Sequence, residues 1–95
     1  MRTAAKVDRN QAEVVDALRK VGASVQSLAS IGKGCPDLLV GYRGILYLME
    51  VKDGTNVPSK QLLTEDQKKW HDAWTGSPVH VVRSIEQALK ILGER

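Results

Sequence analysis

Cysteine is nearly absent from this sequence, and long apolar runs are absent altogether. The single cysteine, Cys35, excludes a disulfide within the chain, and no cysteine–histidine cluster has the spacing of a zinc site. No run approaches the roughly 18 apolar residues of a membrane-spanning helix, and the first ten residues lack the apolar core of a signal peptide. The sequence therefore predicts a cytoplasmic protein that is not bound to a membrane.

Repeats, linkers and low-complexity segments are also missing from the 95 residues. A chain of this length has room for one core, and folding hides only about 60–65% of its unfolded surface. We therefore expect a single domain over residues 1–95, for which dimerisation would be a natural source of further burial. The formal net charge of +3 agrees with a polyanionic partner such as nucleic acid but does not require one.

Apolar periodicity and capping residues predict three helices and four strands. The expected segments are a helix over Asp8–Val21, strands over Ser24–Ala29, Asp37–Tyr42 and Ile45–Lys52, a helix from Thr64 to about Gly76, a strand over Val79–Arg83 and a helix from Ser84 to about Gly93. Asp8, Thr64 and Ser84 can each cap a helix, and glutamine follows each of them three residues later. The order α-β-β-β-α-β-α predicts an α/β fold with a small mixed sheet flanked by helices.

The two middle strands read as a hairpin with Arg43 and Gly44 as its two-residue turn. Opposed residues then have numbers that sum to 87, which puts Asp37 across from Glu50 with Cβ atoms about 4.5–5.5 Å apart. Lys52 shares that face because strand side chains alternate with a period of two. Two carboxylates and one ammonium group are therefore expected to converge at one end of the hairpin.

Apart from this end, both faces of the hairpin are apolar. One face presents Leu38, Val40, Tyr42, Ile45, Tyr47, Met49 and Val51, and the other presents Leu39, Leu46 and Leu48. This pattern predicts a central sheet that is covered on both sides.

Carboxylates that oppose each other in a sheet repel, so Asp37 and Glu50 need compensation. A divalent cation would supply it, since magnesium is usually held by one or two carboxylates, water and substrate phosphate oxygens. Lys52 could hold or deprotonate the attacking water, or bind the phosphate as a point charge. The spacing alone leaves open a second interpretation, a surface salt-bridge cluster that contributes little to stability.

The segment Gly34-Cys35-Pro36-Asp37, followed after twelve residues by Glu50-Val51-Lys52, resembles the PD-(D/E)XK nuclease superfamily. More narrowly, the chain resembles the virus-type replication-repair nuclease (VRR-NUC) family. The resemblance spans nearly the whole chain, because a glycine–lysine turn precedes the Pro-Asp motif and Gln67 and Trp70 follow the Glu-x-Lys motif. Gly76 and the strand that begins at Val79 complete it. It implies a restriction-endonuclease-like core.

The resemblance also implies roles for individual residues. Asp37, Glu50 and the Val51 carbonyl would bind Mg²⁺ or Mn²⁺, and Lys52 would be catalytic. A first-helix glutamate, matched by Glu13, and a second-helix glutamine, matched by Gln67, would support them.

Each supporting residue has a second interpretation. Glu13 lies on the flank of the apolar stripe of its helix and could simply be solvated. Gln67 either completes the Thr64 capping box or reaches the site, and one residue could do both. Trp70 and Trp74 are expected in the core, with DNA stacking as the alternative.

Other side chains are assigned more simply. The candidate phosphate contacts are Lys33, Lys60, Lys68 and Lys69, although surface lysines often only maintain solubility. Cys35 lacks a catalytic setting and is interpreted as a small packed residue, whereas His71 and His80 are interpreted as structural or exposed.

The expected function is therefore Mg²⁺- or Mn²⁺-dependent hydrolysis of phosphodiester bonds in DNA. Within the family that the chain resembles, stand-alone domains of this size are similar to Holliday-junction resolvases. The resemblance therefore implies a homodimer that acts in DNA repair in a bacterial or phage-infected cell. Two alternatives remain: a non-catalytic nucleic-acid-binding module, and a site-specific restriction-type endonuclease. The short chain leaves little length for the base-reading loops of the latter.

Overall fold

A computed structural model describes residues 9–55, 58 and 62–94, which form one four-stranded sheet and three helices. The elements are α1 (Arg9–Lys20), β1 (Ser24–Ser27), β2 (Leu38–Tyr42), β3 (Ile45–Val51), α2 (Glu65–Ala73), β4 (Val79–Val82) and α3 (Ile85–Ile91). The predicted order α-β-β-β-α-β-α is confirmed. The expected α1 cap at Asp8 and the phosphate contact at Lys60 lie outside the described residues.

The sheet has the strand order β1-β2-β3-β4. β1 pairs with β2 and β2 with β3 in antiparallel fashion, whereas β3 and β4 are parallel. A parallel pair needs a crossover connection, and the segment that contains α2 provides it. The mixed sheet predicted from the sequence is thus confirmed, with β2 and β3 at its centre.

The turn between β2 and β3 sets the register of the hairpin. Arg43 and Gly44 both have left-handed backbone conformations, with φ of 49° and 82°. Positive φ at both positions is typical of the two-residue turn whose twist matches the flanking strands. The pairs from Tyr42↔Ile45 to Leu38↔Met49 follow the predicted register. Asp37 and Glu50 occupy the next position beyond this ladder.

The core lies between one face of the sheet and the helices α1 and α3. Its buried members are Val14, Leu18, Ala23, Leu38, Val40, Tyr42, Met49, Val51, Val82, Ala88 and Leu92. The alternation of β2 puts Leu38, Val40 and Tyr42 into this core together. This packing anchors the central hairpin from one side and leaves the opposite face to carry the polar residues.

The prediction that both faces of the hairpin are covered is wrong at the hairpin tip. Ile45 is 55% exposed and Leu46 is 49% exposed, whereas Leu48, further along the same strand, is only 4% exposed. The second face is met by α2 at the opposite end, where Gln67 contacts Glu50. Among the helices that the structure describes, none has the length and apolar character needed to cross a bilayer.

Candidate active site

Asp37 is held at the end of β3 by the backbone of that strand. Its Oδ2 accepts a hydrogen bond from the N–H of Val51 at 2.8 Å. The acid therefore lies against the strand that carries Glu50, although it precedes β2 in the sequence. The hairpin register and this bond together bring the two carboxylates to one place.

The carbonyl and the N–H of Val51 point to the same side of β3. In an antiparallel strand, each residue directs both of its backbone groups toward one neighbouring strand, and the next residue directs them the other way. In the continued register, Val51 faces Pro36, which has no N–H to donate. Pro36 therefore cannot supply the ladder bond to this carbonyl.

Among the described residues, Glu50 is the one charged residue that is buried, with only 2% of its surface exposed. Its Oε2 accepts a hydrogen bond from Nε2 of Gln67 at 2.9 Å and lies 3.7 Å from Nζ of Lys52. Its Oε1 is buried and has no hydrogen-bond partner among the described residues. A buried carboxylate oxygen without a partner is costly, so a cation at this position would relieve a real deficit.

The electrostatics of Glu50 agree with that deficit. Burial, followed by the charge of Asp37, raises the pKa of Glu50 to about 8, although Lys52 lowers it. The ammonium group of Lys52 therefore does not fully compensate the negative charges of the two carboxylates. The sequence indicated two opposed acids, but the depth of burial that makes the opposition strong is visible only in the structure.

Lys52 immediately follows β3, and its side chain is only 13% exposed. Its Nζ donates a hydrogen bond to Oε1 of Gln67 at 2.9 Å. Its backbone is fixed from two sides: the N–H donates to the carbonyl of Val82, and its carbonyl accepts from Nδ2 of Asn10, both at 2.8 Å. Asn10 is a supporting residue that the sequence reasoning missed, because an asparagine in the first turn of a helix carries no long-range signal.

Gln67 performs both of the roles considered for it. At the third position of α2, its Oε1 accepts from the N–H of Thr64 at 2.8 Å, and its own N–H donates to the Thr64 hydroxyl, which completes a capping box. The same side chain contacts both Glu50 and Lys52. The start of α2 and the geometry of the site are therefore coupled through one amide group.

The glycine–lysine turn before Pro36 adopts three successive left-handed conformations, with φ of 70° at Gly32, 55° at Lys33 and 84° at Gly34. A hydrogen bond from the N–H of Cys35 to the carbonyl of Gly32 closes it at 3.1 Å. Gly34 packs against the first turn of α2, where an added Cβ would lie 2.2 Å from the backbone oxygen of Asp66. The turn therefore sets how closely α2 can approach the site.

Cys35 sits between this turn and the acids and is partly buried. Burial raises the pKa of its thiol, and the charges of Glu50 and Asp37 raise it further. A raised pKa keeps the thiol protonated, which agrees with a packed residue and not with a nucleophile.

Glu13 lies apart from this network in the described structure. Its side chain is 53% exposed, and its carboxylate forms a pair with Arg9 at 3.5 Å. No hydrogen bond or ion pair joins it to Asp37, Glu50 or Lys52 within the described residues. Lys33, Lys68 and Lys69 are exposed, as phosphate contacts would need to be.

The expectation that the tryptophans lie in the core is wrong for Trp74, which is 42% exposed. The helix ends at Ala73, and the backbone of Trp74 is extended, so helical spacing no longer decides where its side chain points. Its ring stacks on that of Trp70, with centroids 4.8 Å apart.

The two histidines occupy different surroundings. Burial lowers the pKa of His71, the charge of Asp72 raises it, and the charge of Lys52 lowers it. The effect of Lys52 places this ring in the neighbourhood of the site. The buried Nε2 of His71 has no hydrogen-bond partner in the part of the chain that the structure describes. The ring of His80 packs instead near Tyr47, with centroids 6.1 Å apart.

The donor set suits a hard cation, although it is small. Within the described ranges, no three or more histidine, cysteine, aspartate or glutamate side chains form a group suited to a metal. Magnesium commonly takes only one or two carboxylates from a protein, with water and substrate oxygens completing its shell. Asp37, Glu50 and the Val51 carbonyl meet that requirement, and the unpartnered Oε1 of Glu50 is consistent with it.

A small mixed sheet with an aspartate and a Glu-x-Lys sequence at the end of its central hairpin defines a nuclease-type fold of the PD-(D/E)XK superfamily. A solved structure described as a VRR_NUC domain is similar to this chain, with a TM-score of 0.66 and 31% identity over 90% of this chain and 91% of that one. The chain therefore belongs to the VRR-NUC family. No protein-family model matches it, and no curated protein does.

Proposed function

We propose that this protein is a divalent-metal-dependent endonuclease that hydrolyses phosphodiester bonds in DNA. The observation that carries the proposal is the buried carboxylate of Glu50, which has an unpartnered Oε1 next to Asp37 and a lysine held at 3.7 Å. A non-catalytic binding module would gain nothing from two acids facing phosphate, since the acids would repel it.

In this proposal, Asp37, Glu50 and the carbonyl of Val51 hold Mg²⁺ or Mn²⁺. The bound cation would offset charge on the scissile phosphate and lower the pKa of a water molecule. The all-oxygen donors favour these hard cations.

Lys52 holds the attacking water or the scissile phosphate with its ammonium group, and Gln67 keeps that group in place through the 2.9 Å hydrogen bond. The role of Glu13 stays a proposal that the family resemblance supports. Its exposed pair with Arg9 would cost little to rearrange when substrate binds, because such pairs contribute about 0–1 kcal/mol.

The DNA backbone would be held by the exposed Lys33, Lys68 and Lys69, so affinity should fall steeply as salt rises. Lys33 belongs to the turn that packs against α2 next to the site, and the other two lie on α2 itself.

We further propose that the protein is a homodimer selective for branched DNA such as a four-way junction. One chain offers one active site, whereas resolving a junction requires cuts in two strands, and a two-fold dimer supplies two related sites. The exposed Ile45 and Leu46 at the hairpin tip offer apolar surface for such an interface. Light scattering over a concentration series tests the assembly.

The decisive test incubates the purified chain with four-way, flap, duplex and single-stranded DNA in Mg²⁺, Mn²⁺, Ca²⁺ or excess chelator. We expect cutting of the junction with Mg²⁺ or Mn²⁺, binding without efficient cutting in Ca²⁺, and no cutting in chelator. Asp37→Ala, Glu50→Ala and Lys52→Ala should each abolish cutting in folded protein. Full activity in chelator, or a folded Glu50→Ala variant that cuts normally, would disprove the site.

The same assay separates the alternatives. A binding module would shift every DNA without cutting any of it. A restriction-type enzyme would cut linear duplex at one sequence, and a strict monomer that cuts junction and duplex equally would remove only the resolvase assignment.

A further inference from the structure

Trp70 continues the face of α2 that contacts the active site, since it follows Gln67 by three residues. Trp74 lies just beyond the end of the helix, and its ring stacks on that of Trp70 with centroids 4.8 Å apart. Gln67 points into the site, where its amide bonds Glu50 and Lys52. The aromatic pair therefore extends the site beyond Gln67.

The ring of Trp74 is exposed but tightly held. Its Nε1 donates a hydrogen bond to the carbonyl of Ser77 at 2.9 Å, and one face stacks on Trp70 with an interplanar angle of 16°. Gly76 lies against the Nε1–Cζ2 edge, where a Cβ would come within 3.0 Å of the ring. An aromatic side chain fixed at three places, yet 42% exposed, is ready to bind a flat partner without losing much conformational entropy.

An exposed aromatic surface next to a nuclease site fits one kind of partner well. Every nucleobase has a π-face that stacks on an aromatic ring, and such stacking tolerates any sequence. Bases inside a duplex are already stacked, so only an unpaired base can offer its face to Trp74. The exposed Lys68 and Lys69 on α2 can hold the phosphates of the same strand.

We infer that Trp74 stacks on an unpaired nucleobase of the strand whose phosphate occupies the active site. The inference rests on the proposed nuclease function and assigns it a substrate class, DNA with single-stranded character such as a branch or a flap. Trp70 supports the ring of Trp74 from behind and sets its orientation.

The test measures binding in excess chelator, so that no DNA is cut. The probes are a dye-labelled 12-nucleotide single-stranded oligothymidine, an oligonucleotide of equal length with abasic sites in place of the bases, and a blunt duplex. Fluorescence anisotropy gives the affinity, and the intrinsic fluorescence of the two tryptophans reports stacking directly. The variants are Trp74→Leu, which removes the aromatic face, and Trp74→Phe, which keeps it. Circular dichroism melts confirm that both are folded.

We expect the oligothymidine to quench the tryptophan fluorescence and the abasic strand to leave it nearly unchanged. Trp74→Leu should bind the oligothymidine roughly 5- to 100-fold more weakly, with the abasic strand and the duplex affected less than about twofold, and Trp74→Phe should retain most of the affinity. Equal binding of oligothymidine by the wild-type protein and Trp74→Leu would overturn the inference. Equal quenching by the abasic strand would do the same.

The outcome is separable from that of the proposed function. A protein that cuts DNA while Trp74→Leu binds oligothymidine normally would retain the nuclease assignment and lose only the stacking inference. A protein that never cuts DNA, yet loses affinity with Trp74→Leu, would retain the stacking surface and lose the catalytic assignment.

Discussion

Nε2 of Gln67 donates a hydrogen bond to Oε2 of Glu50 at 2.9 Å, which joins the first turn of α2 to the most buried acid of the site. The Oε1 of the same amide accepts from the N–H of Thr64 and from Nζ of Lys52. One side chain thus caps a helix, supports a carboxylate and orients an ammonium group. The chemistry of the site depends on where α2 begins.

Gln67→Ala should therefore reduce DNA cleavage by about 10- to 100-fold, the usual effect of losing a residue that orients a metal ligand. It should also lower the free energy of unfolding by about 1 kcal/mol, because the capping box is lost. Steady-state cleavage and thermal melts measure the two effects.

Gln87 provides a matched control for that substitution. It occupies the equivalent position of α3, where its N–H donates to the Ser84 hydroxyl and its Oε1 accepts from the N–H of Arg83. Gln87→Ala should cause a similar loss of stability with cleavage changed less than about threefold, since this amide supports the backbone at a helix cap and no carboxylate. If both variants lost activity equally, the effect of Gln67 would be one of stability alone.

Glu50→Gln should abolish cleavage and yet stabilise the metal-free protein. The neutral amide keeps the shape of the side chain and, above the raised pKa of Glu50, removes a buried charge next to Asp37. For a chain of this size, each kcal/mol corresponds to about 4–8 °C in the melting temperature. A melting temperature in chelator at about pH 9 that lies at or below that of the wild-type protein would contradict this account of the site.

The stability of the metal-free protein should fall as pH rises. The pKa of Glu50 is raised from 4.5 to about 8 by burial and by Asp37, so the folded protein binds the proton more tightly than the unfolded chain does. The contribution of Glu50 to the free energy of unfolding therefore decreases as the pH rises from about 4.5 to about 8, and it then levels off. Mg²⁺ or Mn²⁺ should reverse the loss, because the cation compensates the ionised carboxylate.

Melts in chelator at about pH 5 and about pH 9 test this dependence, with Glu50→Gln as the reference that lacks the titrating group. The advantage of Glu50→Gln over the wild-type protein should be small at the lower pH and larger at the higher one. An advantage independent of pH would show that Glu50 titrates normally in the folded state.

Gly34→Ala should impair cleavage more than Gly32→Ala does. Both glycines have positive φ, so alanine is strained at either position. Only at Gly34 would the new Cβ meet the backbone of α2, at 2.2 Å from the oxygen of Asp66, whereas at Gly32 it meets nothing within 4 Å. The displaced helix would carry Gln67 away from Glu50. We expect the left-handed conformation to cost roughly 1–2 kcal/mol in both variants, with a further loss of stability from the collision and a loss of activity of at least about tenfold in Gly34→Ala alone.

The sequence by itself determined the hairpin and the helix starts, because both depend on interactions within a few residues. A two-residue turn at Arg43 and Gly44 sets the register, and the period of two then carries Asp37 and Glu50 to opposed positions. Thr64 and Ser84 begin their helices for an equally local reason, since a cap acts over three residues.

Only the tertiary structure decided which surfaces meet and how deeply they are buried. Gln67 had two possible roles, and the approach of α2 to β3 made both true at once. Trp74 obeyed helical spacing in the sequence but lies exposed, because the helix stops one residue before it. The unpartnered oxygen of Glu50 likewise arises from long-range packing. Periodicity and capping describe neighbours along the chain, whereas burial and electrostatics depend on segments that are distant in sequence and adjacent in space.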